Sequence, residues 1–156
     1  MPRYGTVPKR KISPDPVYGS QVISKFINKM IIDGKKSKAE TIVYGAFEEA
    51  RKKLGKEAIV IFETALKNIM PLMEVKSRRV GGATYQIPIE VSKERGHNIA
   101  LQWMRDASRE RSGKGMIEKL AGELIDAYNN TGGAKKKQED MHKTAEANKA
   151  FAHFRW

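Results

Sequence analysis

The hydrophobic pattern of this chain changes its period in one segment, and that segment limits the fold more than any other feature. After two glycines, apolar side chains occupy every second position, at Tyr85, Ile87, Ile89 and Val91. A period of two is typical of a half-buried strand. The run before the glycines, residues 75–80, is also rich in strand formers. Gly81 and Gly82 supply the positive backbone torsions of a tight turn, so the sequence predicts a two-stranded antiparallel hairpin at about residues 73–90.

Outside this segment, apolar residues recur at spacings of three and four, which is typical of amphipathic helices. Ser20 is the predicted N-cap of the first helix, and a capping box from Ser37 to Glu40 opens the second. Pro71 ends the third helix, and the breaker at residues 113–115 separates the fourth from the fifth. The predicted apolar seam of the fourth helix is Ile99, Trp103, Met104 and Ala107.

The two ends of the chain differ from the middle. The first eleven residues carry four cations and no acid, so we predict an extended basic N-terminal arm over residues 1–16. Residues 17–131 form the predicted helical body with its hairpin. Residues 132–156 form a C-terminal helix and tail, predicted to be weakly anchored because its apolar stripe is sparse. The predicted fold is a single mainly α domain of about six helices with one protruding two-stranded antiparallel hairpin.

The charge balance limits the class of partner. The chain has 156 residues, with 30 Lys and Arg against 18 Asp and Glu, and a formal net charge of +12. Such a surface favours a polyanion, with nucleic acid as the first candidate and a membrane surface as the second. The sequence has no cysteine and no apolar run of the ~20 residues that a membrane span needs. We therefore predict a cytoplasmic protein.

A catalytic function has little support in the sequence. The segment at residues 112–115 resembles the end of a phosphate-binding loop, but the upstream glycine and the following Ser or Thr of that motif are missing. The three histidines are His97, His142 and His153, and none has a partner at metal-ligand spacing. The sequence predicts no enzyme, no metal site and no cofactor.

Several cations occupy positions where a purely solvated surface does not require them. Arg78 and Arg79 are adjacent in a predicted strand, so they project to opposite faces, as expected of a finger inserted into folded RNA. Lys35 and Lys36 stand at a helix start, where the macrodipole disfavours cations and free amides favour phosphate. Arg95 lies on a predicted polar face of the fourth helix. These positions predict nucleic-acid contacts.

The aromatic residues divide into two groups. Trp103 follows an apolar stripe and is predicted to lie in the core, and Tyr85 is predicted to pack beneath the hairpin, with stacking on a base as the alternative. Phe151, Phe154 and Trp156 follow no buried stripe. We predict that these terminal aromatics form a docking surface for RNA or a protein neighbour.

Three segments carry a resemblance to a known family. They are DGKK at residues 33–36, KSRRVGGATYQIPIE at residues 76–90 and AEANKAFAHFRW at residues 145–156. In this order they resemble the family of the bacterial small-subunit ribosomal protein numbered seven, over essentially the whole chain. The resemblance implies a helical bundle with a protruding hairpin that binds the 3′ major domain of small-subunit ribosomal RNA and nucleates assembly of the head. It also implies a place near exit-site tRNA, the mRNA path and other head and platform proteins, and possible repression of its own messenger.

The basic features and the resemblance together give the predicted site. RNA contacts are predicted at these cations: Arg3, Lys9, Arg10, Lys11, Lys35, Lys36, Lys76, Arg78, Arg79, Arg95, Arg111 and Lys114. The resemblance places these residues on the tRNA and mRNA side: Gly81, Gly82, Ala83, Lys143, Lys149, Arg155 and Trp156. The residues themselves leave a basic DNA-binding regulatory protein open as the alternative, which a preference for duplex DNA would reveal.

Overall fold

The fold is mainly α, as predicted. The computed structural model describes residue 5 and residues 12–154. Within these residues the elements are α1 (Gln21–Met30), α2 (Lys36–Leu54), α3 (Ala58–Ile69), β1 (Met73–Val80), β2 (Ala83–Glu90), α4 (Lys93–Glu110), α5 (Met116–Tyr128), α6 (Gly133–Ala147) and a 3₁₀ helix (Lys149–Phe154). The predicted fold class is confirmed, and β1 and β2 lie where the change of period predicts them. Most of the predicted N-terminal arm lies outside the described residues.

The core lies among the first five helices and is built from their apolar stripes. Three phenylalanine rings meet in it: the ring centroids of Phe26 and Phe62 are 5.4 Å apart, and those of Phe47 and Phe62 are 5.2 Å apart. None of the three residues is more than 1% exposed. Residues three or four positions apart share one face of a helix, so these stripes are buried when the helices pack.

The start of α2 differs from the prediction. The helix begins at Lys36 with Lys35 as its N-cap, so Ser37 already lies inside the first turn and no side chain caps the helix. The predicted capping box is therefore wrong. Glu40 lies 3.6 Å from the Lys36 ammonium instead, as an i,i+4 ion pair on the helix surface.

The seam of α4 is also shifted from the predicted one. Its buried residues are Gly96, Ala100, Leu101, Met104, Ala107 and Ser108, whereas Ile99 and Trp103 are only half-buried. Small residues occupy much of the true seam, and they let the backbone of α4 approach its neighbours closely. A pattern search weighted toward large apolar side chains misses such a face.

The segment before α1 is tied to the helical body by one buried carboxylate. Asp15 is 3% exposed and lies within the predicted arm. Its Oδ1 accepts a hydrogen bond of 2.6 Å from the Tyr44 hydroxyl on α2, and its Oδ2 accepts from the amides of Val17 and Tyr18. Burial and the hydrogen bond to Asp15 raise the pKa of Tyr44. The body therefore includes Asp15.

Helix α6 is anchored more firmly than predicted. At its start, the amide of Ala134 donates a 2.7 Å hydrogen bond to Glu123 Oε1, and Glu123 is fully buried on α5. A carboxylate at a helix N-terminus also interacts favourably with the helix dipole. Near its end, Ala145 is 4% exposed. The prediction of a weakly anchored helix is wrong, because polar as well as apolar contacts hold α6.

Candidate nucleic-acid interface

The hairpin combines a partly buried base with a largely exposed end. Its strands pair in one antiparallel register, in which Arg78 lies opposite Tyr85 and Arg79 opposite Thr84. Gly81 and Gly82 form the turn with φ of 57° and 90°. Both values lie in the left-handed region that favours glycine, which confirms the predicted tight turn.

Burial divides the hairpin into two parts. We call residues 76–86 the outer half, and residues 72–75 with residues 87–91 the root. In the outer half, Tyr85 and Val80 are half-buried and every other residue is exposed, including Lys76 and both arginines. Successive residues of a strand point to opposite faces, so Arg78 and Arg79 project to opposite sides of the ladder, as predicted. The outer half thus presents guanidinium groups on both faces.

The root is held by polar contacts from two helices. Glu74 on β1 is 5% exposed, and Arg95 Nε of α4 lies 2.8 Å from both of its carboxylate oxygens. The amide of Leu72 donates a 3.0 Å hydrogen bond to His142 Nε2 on α6. The amide of Val91 donates to the Leu72 carbonyl at 3.0 Å and extends the ladder by one bond. The hairpin is therefore attached to the body on both sides of its root.

An aromatic cluster supports the outer half from one side. The Tyr85 ring centroid lies 5.0 Å from that of Phe151 and 5.6 Å from that of Phe154 in the 3₁₀ helix. Tyr85 is half-buried and packs between the hairpin and the 3₁₀ helix, outside the main core, so the prediction that it packs beneath the hairpin holds only in this form. The sequence predicts that the terminal aromatics dock RNA or a protein neighbour. Phe151 and Phe154 instead contact Tyr85 of the chain's own hairpin. Trp156 lies outside the described residues.

The loop between α1 and α2 presents a second group of cations. Lys35 and Lys36 are both exposed, and their nearest carboxylates are those of Asp33 at 3.7 Å and Glu40 at 3.6 Å. Exposed ion pairs of this length contribute little to stability, so a phosphate can replace the carboxylate in either pair. The start of α2 leaves backbone amides without helical partners, which also favours an anion there.

Two of the predicted RNA contacts lie at the loop between α4 and α5. Arg111 donates to Glu123 Oε2 at 2.8 Å and to Asp126 Oδ2 at 2.6 Å. These hydrogen bonds raise the pKa of the Arg111 guanidinium. Lys114 is exposed in the same loop. Arg111 therefore neutralises a buried carboxylate, and Lys114 remains available to a partner.

A third cationic group lies between α1 and α4, where sequence reasoning assigned no site residue. Burial lowers the pKa of Lys29, and the neighbouring Arg105 guanidinium lowers it further. Arg109 donates a 3.3 Å hydrogen bond to the carbonyl of Met30 at the end of α1. Arg105 is itself paired with Asp106, whose Oδ1 lies 2.6 Å from the guanidinium, so the positive charge left for an anion here is that of Lys29 and Arg109. The signal in the sequence is the recurrence of Arg105 and Arg109 at a spacing of four.

The remaining predicted residues are spread over the surface or lie outside it. Ala83, Lys143 and Lys149 are exposed. Some predicted cations lie outside the described residues: Arg3, Lys9, Arg10, Lys11 and Arg155. In the part of the chain that the structure describes, no group of three or more His, Asp or Glu side chains could hold a metal ion. Over the same residues, none of the helices combines the length and apolarity needed to cross a membrane.

Fold and surface together define a class: a small, basic helical protein that holds a cationic hairpin against its body. The family described as "Ribosomal protein S7p/S5e" matches residues 2–149. Three relatives named "Small ribosomal subunit protein uS7" each align over 156 residues, the whole of both chains. They come from Heliobacterium modesticaldum (59% identical), Pelotomaculum thermopropionicum (58%) and Acetivibrio thermocellus (60%). The chain belongs to the ribosomal protein S7p/S5e family.

Membership of this family confirms the predicted resemblance. It also confirms the predictions of a ribosomal protein of the small subunit, of a role in translation and of a protein that is not an enzyme. The predicted cytoplasmic location is confirmed in the same way, because bacterial ribosomes work in the cytoplasm.

Proposed function

We propose that the chain binds the 3′ major domain of small-subunit ribosomal RNA directly and nucleates assembly of the head of that subunit. In the assembled particle it lies near exit-site tRNA, the mRNA path and neighbouring head and platform proteins. Repression of its own messenger stays a prediction of the resemblance. The observation that carries the proposal is the outer half of the hairpin, which holds Arg78 and Arg79 on opposite faces.

The chemistry of these groups fits folded RNA better than a flat surface. A guanidinium is planar and can donate two parallel hydrogen bonds to one phosphate. A ribbon with guanidiniums on both faces can contact two phosphate backbones at once, as happens where RNA segments converge. A membrane would be contacted by one face only. The two-sided arrangement of Arg78 and Arg79 therefore supports RNA as the partner.

The proposed contacts fall into three groups of described cations. The first is the outer half of the hairpin, with Lys76, Arg78 and Arg79. The second is the loop before α2, with Lys35 and Lys36, and the third is Lys29 and Arg109 between α1 and α4. Lys114, in the loop after α4, is proposed as a separate contact. The cations of the N-terminal arm are proposed as further contacts on their charge alone. Gly81, Gly82 and Ala83 at the turn are proposed to face tRNA or mRNA, as are Lys143, Lys149, Arg155 and Trp156.

A salt-dependent titration against the 3′ domain RNA tests this proposal. If about eight phosphates are neutralised, the slope of log affinity against log salt is roughly −6 to −7. Scrambled RNA and duplex DNA serve as competitors, and we expect binding to survive both. A slope near zero would contradict phosphate contacts altogether. Displacement by duplex DNA would favour a DNA-binding regulator instead.

A further inference from the structure

We infer that Arg95 is a positioning residue: through its ion pair with Glu74 it fixes the direction of the hairpin, and it does not contact RNA. The inference rests on the proposed function for its binding readout. It assigns a role to Glu74, a buried carboxylate that the RNA contacts leave unexplained.

The burial of Glu74 is the first observation. A carboxylate that is 5% exposed is costly unless it is paired, and Arg95 Nε lies 2.8 Å from each of its two oxygens. Arg95 itself is 56% exposed, so the buried partner gains most from the pair. An arginine that left Glu74 to bind a phosphate would leave a buried charge without compensation. The pair therefore opposes the use of Arg95 as an RNA contact.

The second observation is the close approach of α4 to the chain that leads into β1. Gly96 is buried, and a Cβ added there would lie 2.9 Å from Met70 Cγ and 3.5 Å from the Pro71 carbonyl oxygen. No side chain larger than hydrogen fits without a shift of Met70. Arg95 directly precedes Gly96 on the same turn, so its backbone is held close to the segment that leads into β1. The ion pair with Glu74 adds a side-chain contact to this backbone contact.

The third observation is the distance from the root of the hairpin to its turn. From Glu74 to the turn at Gly81 the strand spans about 23 Å at ~3.3 Å per residue. A rotation of about 10° at the root would move the turn by about 4 Å on this length. Such a displacement exceeds the tolerance of a charge-assisted hydrogen bond, whose heavy-atom distances fall near 2.7–2.9 Å. A contact at the root can therefore control the contacts of Arg78 and Arg79.

Three variants separate positioning from RNA contact: Glu74→Gln, Arg95→Gln and the double variant. A positioning pair predicts that each single change lowers affinity for the 3′ domain RNA by at least about fivefold. It also predicts that the double variant is no weaker than the weaker single, because both changes remove one shared interaction. The salt slope at Arg95→Gln stays close to that of the unchanged protein. Two results together would overturn the inference. Glu74→Gln would bind the RNA as well as the unchanged protein or better, and Arg95→Gln would reduce the salt slope by about one both in the unchanged protein and in Glu74→Gln.

Arg95→Lys gives an independent test. It keeps the positive charge, which suffices for a phosphate contact, but an ammonium cannot reproduce the planar donor group of arginine. We expect it to bind RNA as weakly as Arg95→Gln. Affinity equal to that of the unchanged protein would overturn the inference.

Hydrogen exchange of the free protein makes the test independent of RNA. In Glu74→Gln and Arg95→Lys, the hairpin amides should exchange about tenfold faster or more, while the amides of α1–α3 keep their rates. Unchanged exchange in the hairpin would overturn the inference. If the unchanged protein fails to bind the RNA, the proposed function fails, and this measurement still decides whether the pair holds the hairpin.

Discussion

The two parts of the hairpin share one ladder and one register, yet they are built for different purposes. In the root, Glu74, Ile87 and Pro88 are buried and helices α4 and α6 supply hydrogen bonds. In the outer half the cations are exposed, and the 3₁₀ helix gives lateral support through Tyr85. The difference shows that the role of a charged residue in a strand cannot be assigned from the residue type alone. Its depth along the hairpin decides whether it attaches the strand or serves a partner.

The largest expected effect separates the two parts by stability. Ile87→Ala removes a side chain that is 1% exposed, and it should lower the free energy of unfolding by about 2–5 kcal/mol. Gln86→Ala, at the adjacent exposed position, should change it by less than about 0.5 kcal/mol. Urea denaturation of both variants gives the comparison. Equal losses would show that the root is packed no better than the outer half.

The next effect separates them by binding. Arg78→Ala combined with Arg79→Ala should weaken RNA binding about tenfold or more and make the salt slope shallower by about two. The thermal unfolding midpoint should stay nearly unchanged, because the side chains are exposed. Lys52→Ala with Lys53→Ala removes the same charge at the end of α2 and serves as the matched control. A similar loss of RNA affinity in the control would show that the hairpin arginines contribute only through the net charge of the protein.

A smaller effect is expected at the turn. Gly82 has φ of 90°, where a side chain is strained, so Gly82→Ala should destabilise the hairpin by about 1–2 kcal/mol. Gly115 has φ of −127° and open space around it, but it is the N-cap of α5, where alanine is a poorer cap, so Gly115→Ala should cost about 0.5–1 kcal/mol at that helix. Hydrogen exchange of the β1 and β2 amides measures the effect of Gly82→Ala, and Gly115→Ala, which lies outside the hairpin, should leave that exchange unchanged. Unchanged exchange in Gly82→Ala would mean that the turn is not held in its glycine conformation.

The smallest effect concerns the lateral support. Tyr85→Leu removes an aromatic contact with Phe151 at a centroid distance of 5.0 Å, worth about 0.5–1.5 kcal/mol beyond burial. Phe151→Leu should cost a similar amount, and the double variant should cost less than the sum of the two. Additive losses would show that the two rings stabilise the protein independently of each other.

The sequence predicts the placement of the hairpin well, because Tyr85, Ile87 and Ile89 alternate in a way that only a strand requires. It does not predict the role of Glu74 or of Glu123. A glutamate is usually exposed, and it is predicted to be buried only when its partner is known. Arg95 and Arg111 show the same limit, since each is a cation in a basic protein. Their partners lie on other elements, so only the tertiary structure separates them from Arg79.

The helix predictions fail where local chemistry competes with packing. Ser37 and Glu40 fit a capping box with Ser37 as the N-cap, but the N-cap is Lys35, two residues earlier, and no side chain caps the helix. In α4, Ile99 and Trp103 dominate the pattern by size, although Ala100 and Leu101 are the residues in the core. Large side chains at the edge of a seam outweigh small ones at its centre in any count of hydrophobicity.

The hydrogen bond between Leu72 and His142 has a consequence for the order of folding. The two residues are 70 positions apart in the chain. Contacts of such long range form late, and the C-terminal residues are the last to be synthesised. While the chain is being made, β1 and β2 leave the translating ribosome long before α6 and the 3₁₀ helix. A ribosome therefore has to synthesise the chain as far as the 3₁₀ helix before the hairpin has all of these supports.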